Sequence, residues 1–283
     1  MAKLGSLLIR IIQIKLKLLA LLSPRSAAHF AFQLFCTPQN RQVPKIKILK
    51  YPILIVDLIF RDLKIKGYIW NRGALKKVLI VHGFSSSALK FQHFVEPLAL
   101  RGFEVFAFDA PAHGSSEGKS TNAVQYAEML QEVITTFGPF NHYIAHSFGG
   151  LAIMLAMEKK PQDDRNRIVL IAPATETSSA INSAFELLLI INKNVRKEFN
   201  QIIFATGGKP AEWFSINRAL HNIEARILWI HDEEDDVTPI DDAENAISSH
   251  LAKVKFIKTH GLGHRKIYHE IRIIEQVVLF LSD

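Results

Sequence analysis

The sequence predicts an α/β fold, a mostly parallel central sheet with helices on both faces and a small helical cap. Three observations predict it. Short continuous apolar runs recur along the chain, helix-period patterns separate them, and the runs end in polar or glycine-bearing turns. Short runs without alternation suit strands buried on both faces, as parallel strands are.

The elements follow in order. Ile53–Phe60 and Lys64–Trp70 are rich in β-branched and aromatic residues and predict an antiparallel pair. Lys77–His82, Phe103–Asp109, Tyr143–His146, Ile168–Ala172, Ile227–His231 and Val254–Lys258 predict the remaining strands. Helical patterns lie between them at Phe91–Leu100, Ala123–Phe137, Phe148–Lys159, Asp241–Leu251 and Lys266–Leu281. One connection, from Ala172 to Arg226, runs to roughly fifty residues of helical character, too long for a structureless loop in a compact domain. It predicts a helical insertion at about 173–225, a cap over the sheet's C-terminal edge, where open α/β sheets bind ligands.

The chain has 283 residues. A hydrophobic content of 48% against 22% charged excludes a disordered chain. The charge of +7 is not spread evenly. Residues 1–50 hold nine Lys/Arg and no acid, whereas the remainder holds 25 basic and 27 acidic residues. A basic N-terminal segment on a neutral body argues against a nucleic-acid-binding protein. Cys36 is the single cysteine, so no intrachain disulfide forms and a reducing, cytoplasmic setting is expected.

Residues 1–45 read as a basic, amphipathic helical segment ahead of a domain from 46 to 283. Over residues 1–22, Lys3, Ser6, Arg10, Gln13 and Lys17 make one narrow polar stripe, which Lys15 breaks. The charge-free runs are too short to span a bilayer. Two readings stand: a helix packed on the domain, or a basic helix lying on an anionic membrane.

His146-Ser147-Phe148-Gly149-Gly150 follows a strand pattern and opens a helix. It is nearly G-x-S-x-G, the strained strand-to-helix turn that exposes a nucleophilic serine, with Ala145 in place of the first glycine. Acids follow at a later strand end, in His231-Asp232-Glu233-Glu234-Asp235-Asp236-Val237-Thr238-Pro239. Asp235 stands four residues before Pro239, and Asp236 is the alternative. Gly261-Leu262-Gly263-His264 then presents a histidine on a short glycine turn, which neither His260 nor His269 does. A serine hydroxyl needs a base, and the base needs an orienting acid. Ser147, His264 and Asp235 fit those roles in the chain order Ser…Asp…His. For each, the alternative is a turn or packing residue.

With these residues in place, the sequence resembles the α/β-hydrolases from about Ile46 to Leu281, including bacterial members with a DAPAHG-type loop. His82-Gly83-Phe84 is similar to the family's HGx turn. The resemblance implies that the backbone N–H groups of Phe84 and Phe148 are oxyanion donors. Asp109-Ala110-Pro111-Ala112-His113-Gly114-Ser115-Ser116 looks like the D-x-x-G-x-G-x-S loop, with Ala112 where glycine is usual. Asp235 to Pro239 resembles D-x-x-V-P with the valine displaced by one.

The expected activity is hydrolysis of a carboxylic ester or thioester, small and lipid-like in class, through an acyl-enzyme. Acyl transfer, amide or C–C cleavage on the same residues, and a non-catalytic binding protein on this fold, are the alternatives. His82, His146, Trp213 and Phe214 are candidate pocket residues, although such aromatics are more often core. The mechanism needs no cofactor, and the spacings of His82, His113, His146 and His231 fit no zinc pattern.

Overall fold

In the computed structural model, residues 2–39, 41, 43–47, 49–248, 250 and 252–283 are described, with side chains from residue 7 onward. Lys3 and Ser6 of the predicted polar stripe therefore lie outside the described side chains. So do residues 249 and 251, at the end of the predicted helix Asp241–Leu251. The chain divides into two compact units, Met1–Thr37 with Glu176–Phe214, and Pro38–Thr175 with Ser215–Asp283.

The smaller unit is helical. It contains α1 (Ala2–Leu22), α2 (Pro24–Cys36) and, from the long insertion, α6 (Thr177–Leu187) and α7 (Lys193–Gly207). The first two helices part at Ser23, whose hydroxyl accepts from Ser26 N–H, while Pro24 stands in the first turn where no amide is needed. Ala27, Ala28 and Ala31 give α2 a flat buried face, and α7 packs on this helix. Phe199 of α7 meets the edges of Phe32, Phe35 and Phe185 with ring centroids 5.0–6.1 Å apart, in the geometry aromatic quadrupoles favour.

The larger unit carries an eight-stranded sheet. Its strands are β1 (Ile53–Phe60), β2 (Leu63–Trp70), β3 (Lys76–Val81), β4 (Phe103–Phe108), β5 (His142–His146), β6 (Arg167–Ile171), β7 (Arg226–Asp232) and β8 (Val254–Thr259). Their spatial order is β1-β2-β4-β3-β5-β6-β7-β8. Strands β1 and β2 pair antiparallel in the register Ile53↔Trp70 to Phe60↔Leu63. The two residues between them, Arg61 and Asp62, both have positive φ, as a two-residue type I′ turn requires. The pair β2–β4 is also antiparallel, and all the others are parallel.

Helices α3 (Val95–Leu100), α4 (Ala123–Phe137), α5 (Phe148–Met157), α8 (Ile216–Leu220), α9 (Ile240–Ser248), α10 (Gly263–Lys266) and α11 (Ile271–Ser282) complete this unit. The predicted helix Phe91–Leu100 is a 3-10 segment, Ala88–Phe94, running into α3. The predicted helix Lys266–Leu281 is broken at Glu270, which is extended (φ −69°, ψ 125°). Val78, Ile80, Val105, Ile144, Val169 and Leu228 form the spine of the core, each almost fully buried. The parallel strands were readable as apolar runs because both of their faces are covered.

The chain order reverses at β3. The strand after it lies on one side and β5 on the other. Crossovers thus leave β3 and β5 in opposite directions, which opens a crevice at their carboxyl ends. His82-Gly83-Phe84 follows β3, and Ser147 follows β5.

Candidate active site

Ser147 caps α5 with φ 54° and ψ −126°, a conformation that costs a non-glycine residue free energy and that the surrounding packing must hold. Ala174 N–H donates to Ser147 O, and Ser147 N–H donates to Ile171 O. The turn is tight on every side. A Cβ on Gly149 would stand 2.5 Å from His82 O and 2.7 Å from Val81 O, both backbone atoms. One on Gly150 would stand 2.6 Å from Pro173 Cβ, and one on Gly83 would stand 2.9 Å from Ser147 Cβ. Gly83 and Gly149 let the β3 turn and α5 approach, and Gly150 makes room for the segment after β6. Ala145, where the motif usually has glycine, is fully buried as the next-to-last residue of β5.

His264 reaches Ser147 from the turn after β8. Its Nε2 lies 3.0 Å from Ser147 Oγ, and its Nδ1 lies 2.8 Å from Asp235 Oδ2. Ser147, His264 and Asp235, named from the sequence, are thus brought into one hydrogen-bonded chain. Asp236 is exposed and His260 is exposed beside Glu233 and Glu234. His269 packs against His93 and Tyr268, its ring tilted by 40° to each.

Asp235 is held as a carboxylate. Burial of its side chain works to raise its pKa, but hydrogen bonds with His231 and His264, the His264 charge and the Thr238 amide outweigh this and leave it well below the usual carboxylate range. Asp235 Oδ1 accepts from the N–H groups of Val237 and Thr238 at 2.9 and 2.8 Å. An acceptor fixed on both oxygens can hold the imidazole in one tautomer, with the proton on Nδ1 and Nε2 free to accept from Ser147.

Phe84 follows Gly83, where an added Cβ would meet Ser147 Cβ, and Phe148 follows the serine directly. Phe148 is the first residue of α5, so its N–H has no acceptor within the helix. The two phenyl rings meet edge to face, 5.6 Å apart, which places the two residues side by side. Such a pair of donors, with the helix N-terminus behind one of them, suits an oxyanion.

His82 and His146 are wholly buried, and burial lowers their pKa to about 4 and about 3, so both are neutral. His82 Nδ1 donates to Gly83 O and Nε2 accepts from Ala110 N–H. The first bond braces the β3 turn, and the second ties it to the loop after β4. His146 Nε2 donates to His264 O at 3.0 Å, while Nδ1 has no partner among the described residues. Trp213 and Phe214 lie in the smaller unit, where their rings pack edge to face at 5.2 Å. Among the described residues no cluster of His, Cys, Asp and Glu is set to hold a metal ion.

Residues 73–220 match the Hydrolase_4 family, described as serine aminopeptidase, S33. The chain belongs to this family. It is therefore an α/β-hydrolase, and the match takes in Ser147 but stops before Asp235 and His264.

Among curated relatives, this hydrolase is similar to Esterase YjfP of Escherichia coli, 29% identical over 181 residues, 59% of this chain and 71% of that protein. It is also similar to Putative esterase/lipase 2 of Mycoplasma pneumoniae, 26% identical over 37% of this chain and 40% of that protein. Among solved structures, the Pyrococcus furiosus esterase Pf2001 superposes with a TM-score of 0.65 at 16% identity, covering 87% of this chain and 97% of that one. The thioesterase domain from the curacin biosynthetic pathway gives 0.59 at 15% identity, covering 82% and 100%. At such identities the superpositions speak to the fold.

The structure gives supporting roles to residues of this α/β-hydrolase that the sequence shows only as parts of motifs. Thr238 Oγ1 lies 2.8 Å from Asp235 Oδ2 and 3.3 Å from His264 Nδ1. The signal was the displaced valine, which sets a threonine directly before Pro239. Asp232 accepts from Thr259 Oγ1 and from Leu262 N–H, anchoring the turn that carries His264. His113 accepts through Nε2 from Ser85 N–H at 3.0 Å, which ties the DAPAHG loop to the residue after Phe84. Asp109, fully buried, holds the same loop by accepting from the N–H groups of Ala88 and Ser115. A Cβ on Gly114 would strike the Asp109 carboxyl group, so glycine is needed there. Ala112, where the motif has glycine, keeps the positive φ of 67°.

Proposed function

We propose that this α/β-hydrolase cleaves a carboxylic ester or thioester through an acyl-enzyme. Ser147 Oγ attacks the carbonyl carbon while His264 Nε2 takes its proton. Asp235 holds the imidazole and stabilises the imidazolium. The N–H groups of Phe84 and Phe148 stabilise the tetrahedral oxyanion, each donor contributing ~3–4 kcal/mol in sites of this kind. The tetrahedral intermediate collapses as His264 gives its proton to the leaving alcohol or thiol. Water, activated by the same histidine, then releases the acid.

The observation that supports this most is the relay itself: 3.0 Å from serine to histidine and 2.8 Å from histidine to a carboxylate held ionised. The esterase names of similar proteins support the choice of ester over other acyl substrates. The substrate, in this reading, is a small molecule with a lipid-like acyl group.

The test is hydrolysis of p-nitrophenyl esters of increasing acyl length, wild type beside Ser147→Ala. Turnover by the wild type, reduced by several orders of magnitude in a variant with unchanged melting, is the expected result. Equal turnover by the two proteins defeats the assignment. The family's description favours an amide as the second reading. Aminoacyl p-nitroanilides cleaved in preference to every ester would establish that reading.

A further inference from the structure

The outward face of α1 is apolar, contrary to the usual placement of a helix's hydrophobic stripe. Leu7, Ile11, Ile14, Leu18, Leu21 and Leu22 are each more than half exposed. At 100° per residue they share one arc of the helix. Arg10 and Lys17, both exposed, flank this arc on one side, and Lys15 lies on the other with its ammonium 4.0 Å from the Phe30 ring centre. Leu16 is the one fully covered residue of the helix among those described, on the opposite side.

On the far side of Arg10 and Lys17, the helix meets the end of α6. Gln13 Nε2 donates to Leu187 O at 2.8 Å, which holds the end of α6 against α1. Leu187, Leu189 and Ile191, just beyond, are also mostly exposed. Exposed single apolar residues are ordinary, but a contiguous patch rimmed by charge marks a docking surface.

The charge selects the occupant. No acid occurs before Asp57, so nothing on α1 repels an anion. A strip of Leu and Ile with cations at its margins is the arrangement of a helix lying in a bilayer interface, its side chains in the acyl boundary and its cations among anionic headgroups. No helix among the described residues is long and apolar enough to cross a membrane. We propose that α1 docks this protein flat on an anionic lipid surface.

The test is flotation of the full chain with vesicles of phosphatidylcholine alone and of equimolar phosphatidylcholine and phosphatidylglycerol. Binding is expected to the mixed vesicles and to weaken in high salt. Removing one cation by Arg10→Gln or Lys17→Gln should weaken it roughly fivefold. The combination Ile11→Ser, Ile14→Ser and Leu18→Ser should weaken it at least about a hundredfold. These side chains are exposed, so circular dichroism and melting should match the wild type. Equal binding to both vesicle types, or to neither, overturns the proposal. So does a dimer, seen by light scattering, that the triple substitution dissociates while the wild type ignores lipid.

Discussion

Thr238 donates its hydroxyl to Asp235 Oδ2 at 2.8 Å, the same oxygen that faces His264 Nδ1. A hydrogen bond to a charged group contributes ~1.5–3 kcal/mol, so this one bears on how firmly the carboxylate is aimed. Thr238→Val keeps the branched shape and removes the donor. We expect kcat/KM to fall about tenfold, with the acid limb of the pH profile displaced, and Thr238→Ser to restore most of the rate. Equal rates in the two variants would show that the hydroxyl only fills space.

The cluster of acids around Asp235 gives a direct comparison. Asp235→Asn would leave the shape but remove the charge that fixes the tautomer, at a cost of ~10⁴ in kcat for the equivalent change in a triad of this type. Asp236 is exposed, and Asp236→Asn should leave the rate within about twofold. Steady-state kinetics on the ester that proves best decides between them. A large loss in the second variant and none in the first would reverse the assignment.

Why the sequence revealed some of this and not the rest has physical reasons. Strands such as Ile168–Ala172 announce themselves because both faces are buried. The relay was legible because each member has its own local signature: a strand-to-helix turn at Ser147, an acid four residues before Pro239, and a histidine behind Gly-Leu-Gly. The supports were not legible because they act across long separations. Nothing near His113 indicates that it receives the Ser85 amide, and Asp232 gains its role only when the β8 turn comes beside it. For α1 the sequence leaves two readings open, a packed helix and a membrane-facing one. The hydrophobic pattern gives the period of a helix but not which side meets a neighbour.

Gly149 tests the strand–helix approach. Its missing Cβ would press on two carbonyl oxygens, and backbone gives way less easily than a side chain. Gly149→Ala should therefore destabilise the protein by at least about 2 kcal/mol despite alanine's better helix propensity. Urea unfolding measures this, and ester turnover should fall with it because Ser147 shifts. An unchanged urea midpoint would mean that α5 moves back without strain.

Stability should fall on mild acidification. Burial lowers the pKa of His82 and His93 to about 4, and of His113 and His146 to about 3, against ~6.5 in an unfolded chain. The folded protein keeps these rings neutral while the unfolded chain takes up protons. Their contribution is complete above about pH 6.5 and is lost as the pH falls towards 4 and 3. By pH 5 each ring accounts for up to about 2 kcal/mol, since one pKa unit is ~1.4 kcal/mol. Asp235, held low, adds to the loss at still lower pH, whereas Asp109, raised by burial, opposes it. Four rings of the same sign outweigh the single opposing carboxyl group. The urea midpoint should thus hold steady from about pH 8 to 7 and drop steeply between about 6 and 4. A midpoint unchanged between pH 7 and 5 would mean that these histidines ionise within the fold.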